Sequence, residues 1–148
     1  MTKLNHVLFL QKCIIIGKDG KILALKRGVE KNQRSGKWDL PGGGYETGED
    51  VKGAIKREVT EETTLSVYDP RPIHVASGLN FSSEFMDGEV VFAVCYVSNR
   101  WEGDVKISDE HTEFRWVTPN EFAKLDFGKD GGFFVSAINA YAAFPSLV

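Results

Sequence analysis

The order of apolar and polar positions along the chain predicts mostly short strands that are separated by turns, with a few helices between them. Strands are favoured where β-branched and aromatic residues cluster between turn-forming residues. The predicted strands are residues 6–17, "ILALKR", "KWDL", "LSVYD", "IHVASGLNFSSEFM", "EVVFAVCYV" and "EFRWV". Asp19-Gly20 and Asp87-Gly88 each predict a tight hairpin turn, so the chain is expected to open with a β-hairpin.

The clearest helical pattern covers residues from about 50 to 63, which contain no proline and only one glycine, Gly53. Thr47 or Glu49 is expected to begin this helix, because short polar residues cap helices and acids suit the first turn. Thr118-Pro119 predicts a second helix, since proline is favoured directly after an N-cap. A last helix is predicted in "DGGFFVSAINAYAAF" from the i, i+4, i+7 spacing of its apolar residues.

These elements predict one domain over residues 1–148, of the α/β (α+β) class, in which a central mixed sheet is flanked by a few helices. The chain has 148 residues, of which 42% are apolar, enough for one core without disulfides or structural metal. Cys13 and Cys95 lie far apart in apolar runs, which favours buried free thiols in a reducing compartment over a redox role.

Charge and hydropathy exclude several classes of partner. The formal net charge is -3 and the signs are interspersed, so there is no basic stripe of the kind that binds a nucleic-acid duplex. No apolar run reaches the length of a membrane span, and no cleavage signal follows the N-terminal run. We therefore expect a soluble, cytoplasmic protein without a membrane partner, either a monomer or a homodimer.

The helix at 50–63 carries acidic residues on the side that should face the core. On a helical wheel, Val51, Ile55 and Val59 define an apolar face, and Glu58 and Glu62 fall inside or beside it. Glu61 lies a little further round. The opposite side of the helix is polar even without these glutamates, because Lys52, Lys56, Thr60 and Thr63 lie there. The pattern thus turns carboxylates toward the interior along one edge of the helix.

Two interpretations of these acids remain open at this point. A run of charges on a helix is usually a solvated face with i, i+4 ion pairs, such as Arg57 with Glu61. Burial of unpaired carboxylates, in contrast, costs several kcal/mol per ion, and one guanidinium cannot neutralise three of them. Oxygen-only ligands select hard divalent ions, so Mg²⁺ or Mn²⁺ is the expected counter-ion. The preceding "LPGGGYETGED" favours a site, because its glycines let the backbone approach an ion or ligand closely.

The spacing of these residues resembles a known family motif. Gly43, Glu49, "REVTEE" at 57–62 and Leu65 stand at the positions of the Nudix box, which covers residues 43–65 here. Thr64 is the one departure, since the family has a glycine there that ends the helix in a left-handed turn. The order of strands, "KWDLPGG" and "EFRWV" are also similar to the family over most of the chain.

The resemblance implies an α/β/α sandwich that hydrolyses a nucleoside diphosphate linked to another group, using Mg²⁺ or Mn²⁺. By position, Glu58, Glu61 and Glu62 resemble the metal ligands, and one of them or a glutamate outside the box would deprotonate the attacking water. Arg57 and Glu49 resemble the pair that orients these glutamates. Gly42 resembles the residue whose carbonyl reaches a metal.

Candidates outside the box are fewer and have structural alternatives. Glu113, preferred over Glu110, is the expected fourth acid, although solvated loop acids are the alternative for both. Arg27 resembles an arginine that meets substrate phosphate, against an ordinary surface charge at a strand end. For base recognition the candidates are Phe81, Phe127 and Phe133 as stacking rings and Asp126 as a hydrogen-bonding group, with core packing as the alternative for the aromatics. His6, His74 and His111 form no cluster in the sequence and are assigned no role.

Subfamily marks leave the substrate open. The patterns that would suggest ADP-ribose, dinucleoside polyphosphates, NADH or coenzyme A are missing from the sequence. What remains is the broad MutT-like class, which acts on normal or oxidised nucleoside triphosphates to give a nucleoside monophosphate and pyrophosphate. The alternatives are a nucleotide-sugar hydrolase, a nucleotide-sensing module without turnover, and an isopentenyl diphosphate isomerase. The isomerase needs an active-site cysteine pattern that neither cysteine shows.

Overall fold

The computed structural model of the protein describes residues 6–29, 35–78, 89–129 and 131–143. These residues form nine strands and three helices. In chain order the elements are β1 His6–Ile15, β2 Ile22–Arg27, β3 Trp38–Asp39, β4 Gly42–Gly44, α1 Val51–Thr63, β5 Ser66–Tyr68, β6 Arg71–Ser77, β7 Glu89–Ser98, β8 Arg100–Glu102, β9 His111–Val117, α2 Pro119–Ala123 and α3 Gly131–Ala143. Each predicted element has a counterpart in this order, although residues 79–86 of the strand predicted at 73–86 and the Asp87-Gly88 turn lie outside the described residues.

The strands form a central mixed sheet and two smaller antiparallel groups. The central sheet has the order β4-β1-β7-β6, in which β1 and β7 run parallel and the other neighbours run antiparallel. A second sheet has the order β3-β2-β9, and β5 pairs with β8. The predicted α+β class with a mixed sheet is confirmed.

The apolar core lies on both sides of β1 and β2, since successive residues of a strand point to opposite faces. One cluster joins the strands to α2 and α3, and it includes Ile14, Ile16, Ile22, Ala24, Phe122, Phe134 and Ile138. The other joins them to α1, and it includes Cys13, Ile15, Leu23, Leu25, Ile55 and Val59. Helices therefore cover both faces, and strands buried on both faces have continuous apolar runs.

The expected opening hairpin is only half right. The turn forms as predicted, with the Gly17 N–H donating to the Lys21 carbonyl at 2.8 Å and Gly20 in the left-handed region at φ +79°. The strands on either side nevertheless belong to different sheets and share only the isolated bridge between Ile16 and Ile22. Each strand instead pairs along its length with a distant partner, β1 with β7 and β2 with β9, and these pairings supply the partners for its backbone groups.

Helix α1 begins one residue later than predicted. Asp50 is the N-cap in place of Thr47 or Glu49, and its side chain accepts a hydrogen bond of 2.6 Å from the Gly53 N–H. The first residue of α1, Val51, is 44% exposed. It therefore lies outside the apolar face to which the helical wheel assigned it. Thr63, predicted to face solvent, is fully buried and donates to the Val59 carbonyl at 2.7 Å.

The C-terminal end of α1 is hydrogen-bonded to the segment that leads into β9. Thr64 adopts the left-handed conformation at φ 63° that the family's glycine would take, and its N–H donates to the Thr60 carbonyl. Its Oγ1 donates to the Asp104 carbonyl at 2.6 Å. The backbone N–H groups of Lys106 and Ser108 then donate to the carbonyls of the last two helical residues, at 2.9 and 3.2 Å. Residues 104–108 therefore run along the end of the helix.

Two further sequence expectations concern the thiols and the helices. Cys13 and Cys95 are free and buried, as predicted, and burial raises the pKa of the Cys13 thiol to about 12. Within the described part of the chain, no helix is both long and apolar enough to cross a lipid bilayer.

We predict that the Thr64 hydroxyl offsets the strain of its left-handed backbone. Thr64→Ala keeps the strained φ but loses the bond to Asp104, so its free energy of unfolding should fall by about 1 kcal/mol. Thr64→Gly loses the same bond but relieves the strain, and should stay within about 1 kcal/mol of the parent protein. Urea unfolding measures both. Thr64→Ser, which retains the hydroxyl, is the control, and an alanine variant as stable as the parent would contradict the prediction.

Candidate functional site

The glycines that precede α1 form β4, a short strand that β1 and α1 approach from two directions. A Cβ on Gly42 would lie 2.0 Å from the backbone oxygen of Gln11 on β1. A Cβ on Gly43 would lie within 2.6–2.9 Å of the carboxylate atoms of Glu58 on α1. Any larger residue would force these neighbours apart, so the two glycines bring the sheet and the helix together at this place.

Glu62 places a carboxylate in the interior, next to this strand. The residue is 5% exposed. Its Oε1 accepts a hydrogen bond of 2.9 Å from the Gly42 N–H, and its Oε2 lies 3.6 Å from His111 Nε2. Burial raises the pKa of the Glu62 carboxyl to about 8, although the charge of Lys12 and the Gly42 N–H act in the opposite direction. The charged form is therefore poorly compensated in the protein alone.

Arg57 gathers the remaining acids of the helix and its loop. Its guanidinium binds both carboxylate oxygens of Glu49, at 2.7 and 3.0 Å. It also donates to Glu58 and to Glu61, each at 3.1 Å, and to the Gly44 carbonyl at 3.3 Å. The bidentate bond to Arg57 lowers the pKa of Glu49, whereas burial raises the pKa of Glu58 against the opposing effect of Arg57.

The three helical glutamates form a graded series from interior to solvent. The side chains of Glu62, Glu58 and Glu61 are 6%, 16% and 56% exposed, respectively. The prediction that the acids face inward along one edge of the helix is therefore correct for Glu62 and Glu58, while Glu61 stands at the rim. Arg57 pairs with Glu61, as the sequence suggested, and with Glu58 and Glu49 at the same time.

A second group of polar residues approaches Glu62 from the start of β9 and the turn before it. Glu62, Glu110 and His111 each offer one ligand atom, and these three atoms lie within 4.8 Å of one another. A β-bulge just before Arg27 adjusts the pairing of β2 with His111 on β9, and bulges commonly redirect side chains next to active sites. The sequence assigns His111 no role, whereas the structure brings its imidazole next to the Glu62 carboxylate.

The imidazole of His111 is buried and makes no hydrogen bond to the residues that the structure describes. Its side chain is 1% exposed, and the described residues offer neither ring nitrogen a hydrogen-bond partner. Burial lowers the pKa of His111 to about 4, so the imidazole is neutral at neutral pH. The sequence assigned this residue no role because 48 intervening positions separate it from Glu62.

A buried ion-pair network lies beside this group. Lys12 Nζ lies 3.0 Å from both carboxylate oxygens of Asp39, which is fully buried. Arg27 Nη1 donates to the same carboxylate at 3.0 Å. Lys12 and Asp39 were missed from the sequence, although a signal existed: each is a charged residue within a predicted strand.

The other predicted site residues have varied surroundings. Arg27 is partly exposed and bound to Asp39, which leaves N–H groups for a phosphate. Glu113 pairs with Arg115 at 2.6 Å, and it is Glu110, the less preferred acid, that lies next to Glu62. The Asp126 carboxylate pairs with Lys37 at 2.6 Å near the surface.

Of the predicted stacking aromatics, the two that the structure describes are core residues. Phe127 is 2% exposed and stacks on Phe134 with ring centroids 4.6 Å apart. Phe133 is 3% exposed and packs edge-to-face on the same ring. Both rings therefore pack in the core, which is the alternative that the sequence left open for them, and base stacking by either ring stays a prediction. Phe81 lies outside the described residues.

The chemistry of this donor set is that of a hard divalent cation site. Carboxylate oxygens are the ligands that Mg²⁺ and Mn²⁺ prefer, and the buried carboxylate of Glu62 lacks a full counter-charge. The positive charges of Lys12 and Arg27 lie near this group, since Lys12 acts on the pKa values of Glu62 and His111 and Arg27 acts on that of His111. Such an arrangement can hold a cation and an anionic ligand side by side.

Comparisons with known proteins agree on one family. The NUDIX domain model matches residues 12–135. A nucleoside triphosphatase NudI from Salmonella arizonae is 32% identical over 123 residues, which cover 77% of this chain and 84% of that protein. Among solved structures, a MutT protein from Methanosarcina mazei has a TM-score of 0.77 at 24% identity, with 98% of each chain covered. A mutator MutT protein from Bacillus halodurans has a TM-score of 0.70 at 26% identity, covering 88% of this chain and 82% of its own.

We predict that Glu62 makes the metal-free protein less stable as the pH rises. Its pKa is 4.5 in an ordinary environment and about 8 in the fold, so the unfolded chain releases the proton first. The stabilising contribution of the protonated carboxyl is therefore complete below pH 4.5 and lost as the pH rises through 8. The free energy of unfolding of Glu62→Gln does not depend on this proton. Relative to that of the parent protein, it should therefore increase by on the order of 3 kcal/mol between pH 5 and pH 8.

Urea unfolding in EDTA at both pH values measures this difference. Added Mg²⁺ should stabilise the parent protein at pH 8 and leave Glu62→Gln nearly unchanged, because the ion needs the ionised carboxylate. Parallel stability curves for the two proteins across this range would show that the carboxyl of Glu62 titrates normally.

Proposed function

Because this chain belongs to the Nudix hydrolase family, whose members act on phosphoanhydride bonds, we propose that it is a Mg²⁺- or Mn²⁺-dependent nucleoside triphosphate pyrophosphohydrolase. The reaction breaks the anhydride bond between the α and β phosphates and adds water across it, which gives a nucleoside monophosphate and pyrophosphate. A normal or an oxidised nucleotide would serve as substrate.

The observation that carries the proposal is the buried, under-compensated carboxylate of Glu62 beside the glycine strand β4. Its hydrogen bond from Gly42 and the contact of Glu58 with Gly43 fix two acids of the box against the backbone. Burying such charge without a full partner is costly, which supports a function that requires it. A divalent cation is the partner that the donor set fits.

The carboxylates of Glu58, Glu61 and Glu62 would hold the ion, with the carbonyl of Gly42 as a further oxygen ligand. When bound, Mg²⁺ would neutralise phosphate charge, polarise the phosphorus centre and lower the pKa of a coordinated water. The donor atoms are all oxygens, the set that hard cations prefer.

The protein's own residues would position the reacting groups. Arg57, bound to Glu49 on both oxygens and to Glu58 and Glu61, holds these carboxylates in fixed orientations. Arg27, held by Asp39, would use its remaining N–H groups on a substrate phosphate. The general base is proposed to be Glu61 at the rim or an acid outside the box, for which Glu110 has the better position and Glu113 remains the alternative.

The choice of a nucleoside triphosphate rests on relatives and on the site. The similar protein from Salmonella arizonae is named a nucleoside triphosphatase, and the chain lacks the marks of several other substrate classes. Adjacent acidic and basic groups also suit a ligand that carries several phosphates together with a metal ion. Asp126 stays a candidate for base recognition, as does Phe81.

We predict that the full-length protein hydrolyses nucleoside triphosphates only when Mg²⁺ or Mn²⁺ is present. Pyrophosphate release, coupled to pyrophosphatase, should be measured across normal and oxidised triphosphates, nucleotide sugars and dinucleoside polyphosphates. Glu62→Gln should lower kcat by about 10²–10⁴-fold while the fold is kept, because it removes a charge from the ion. Glu102→Gln, an exposed acid on β8, is the matched control and should retain full activity.

Each other outcome identifies a different function. Turnover of a nucleotide sugar alone would keep the reaction type and replace the substrate. Binding of nucleotide without turnover of any compound would favour a sensing module. Equal rates for Glu62→Gln and the parent protein would refute the metal assignment.

A further inference from the structure

His111 is a buried histidine for which the proposed hydrolysis supplies no role. Its side chain is 1% exposed, and no described group bonds to either nitrogen. Buried imidazoles ordinarily donate one N–H and accept at the other nitrogen, so leaving both unused destabilises the fold. A group that persists under this cost is expected to bind something that the protein itself does not provide.

The geometry around His111 suits a metal ion. Nε2 lies 3.6 Å from Glu62 Oε2, and the ligand atoms of His111, Glu62 and Glu110 all lie within 4.8 Å of one another. Zinc ligands stand about 2.0–2.2 Å from the ion, so two atoms separated by 3.6 Å can share one. Glu62 Oε1 is occupied by the Gly42 N–H, which leaves Oε2 for the side that His111 faces.

We propose that His111, Glu62 and Glu110 form a mixed nitrogen and oxygen site for a divalent transition-metal ion of the Zn²⁺ class. This inference rests on the proposed function, because Glu62 also belongs to the magnesium site. Imidazole is a good ligand for Zn²⁺ and a poor one for Mg²⁺, which keeps oxygen ligands. The acidic cluster around Glu62 therefore has oxygen ligands alone at Glu58 and Glu61 and a nitrogen ligand at His111.

The backbone holds the three ligands in place before any ion binds. The Ser108 N–H donates to the Glu62 carbonyl at 3.2 Å, and the His111 N–H donates to the Ser108 carbonyl at 3.1 Å. The Gly28 N–H donates to the Glu110 carbonyl at 2.9 Å. Ligands from α1 and β9 are thus joined through a short chain of hydrogen bonds, which reduces the ordering that binding requires.

The cations nearby do not exclude an ion from this position. Lys12 and Arg27 both influence the electrostatics of His111, and both bind the buried carboxylate of Asp39 at 3.0 Å. With Glu62 and Glu110 ionised, these five groups carry two positive and three negative charges. A bound cation therefore enters a region of net negative charge.

Metal binding to the full-length, nucleotide-free protein tests the proposal. Zn²⁺ affinity is measured by competition with a chromophoric chelator, and Mg²⁺ affinity by calorimetry. Loss of a residue that only supports a metal ligand weakens metal binding by about 10–100-fold. His111→Gln removes a ligand itself, so it should weaken Zn²⁺ binding by at least this factor and leave Mg²⁺ binding unchanged. His74→Gln, on β6, is the matched histidine control and should change neither affinity.

Ring-nitrogen NMR of the parent protein gives a direct readout that does not depend on a variant that folds. With ¹⁵N-labelled histidine, Zn²⁺ should shift a His111 ring nitrogen, while Mg²⁺ should not, and the His74 signals should stay in place. Unshifted His111 nitrogens at saturating Zn²⁺, or equal Zn²⁺ affinity of His111→Gln and the parent, would overturn the proposal. Nucleotide is absent throughout, so failure of catalytic turnover would count against the proposed function alone.

Discussion

The burial of the Glu62 carboxylate is the constraint around which the rest of the site is arranged. A carboxylate can lie in the interior only if backbone donors, cations or metal compensate its lost hydration. The Gly42 N–H supplies one such donor, and it can do so only because β4 approaches β1 so closely that a side chain at Gly42 would collide with the Gln11 carbonyl. The glycines of the loop are therefore required by the acid on the helix that follows them.

The charges of the site form two ion-pair networks of opposite net charge. In the first, Arg57 binds Glu49, Glu58 and Glu61, so that a single cation serves three carboxylates and the network remains negative. In the second, Lys12 and Arg27 share the carboxylate of Asp39, and this network is positive. A site that must hold both a divalent cation and a polyphosphate needs both signs of charge.

What the sequence could predict was set by the range of the interactions involved. Helix α1, its acids and the Arg57 pairs follow from spacing within one turn or within the box, and the structure contains them. The partition of β1 and β2 into different sheets depends on pairing with β7 and β9, far along the chain, which a local turn signal cannot reveal. The meeting of His111 with Glu62 is of the same kind, because it depends on register and on a bulge.

The aromatic candidates could not be assigned from the sequence for a different reason. An aromatic residue near a turn has the same local pattern whether it packs in a core or lines a cleft, and only the tertiary contacts of Phe127 and Phe133 decide between the two. Charged residues are more informative, because a buried charge demands a partner. Lys12 and Asp39 are charged residues within strands, and each has a partner in the other.

Thr64 shows how a departure from a family pattern can be absorbed by its surroundings. A β-branched residue is unfavourable in the left-handed conformation, yet here its hydroxyl reaches the Asp104 carbonyl at 2.6 Å. That carbonyl begins the segment that runs along the end of α1 and leads to Glu110 and His111. A glycine would end the helix with less strain but could not make this bond. Threonine at this position therefore adds backbone strain, but it gains a hydrogen bond between the end of the helix that carries Glu62 and the segment that leads to Glu110 and His111.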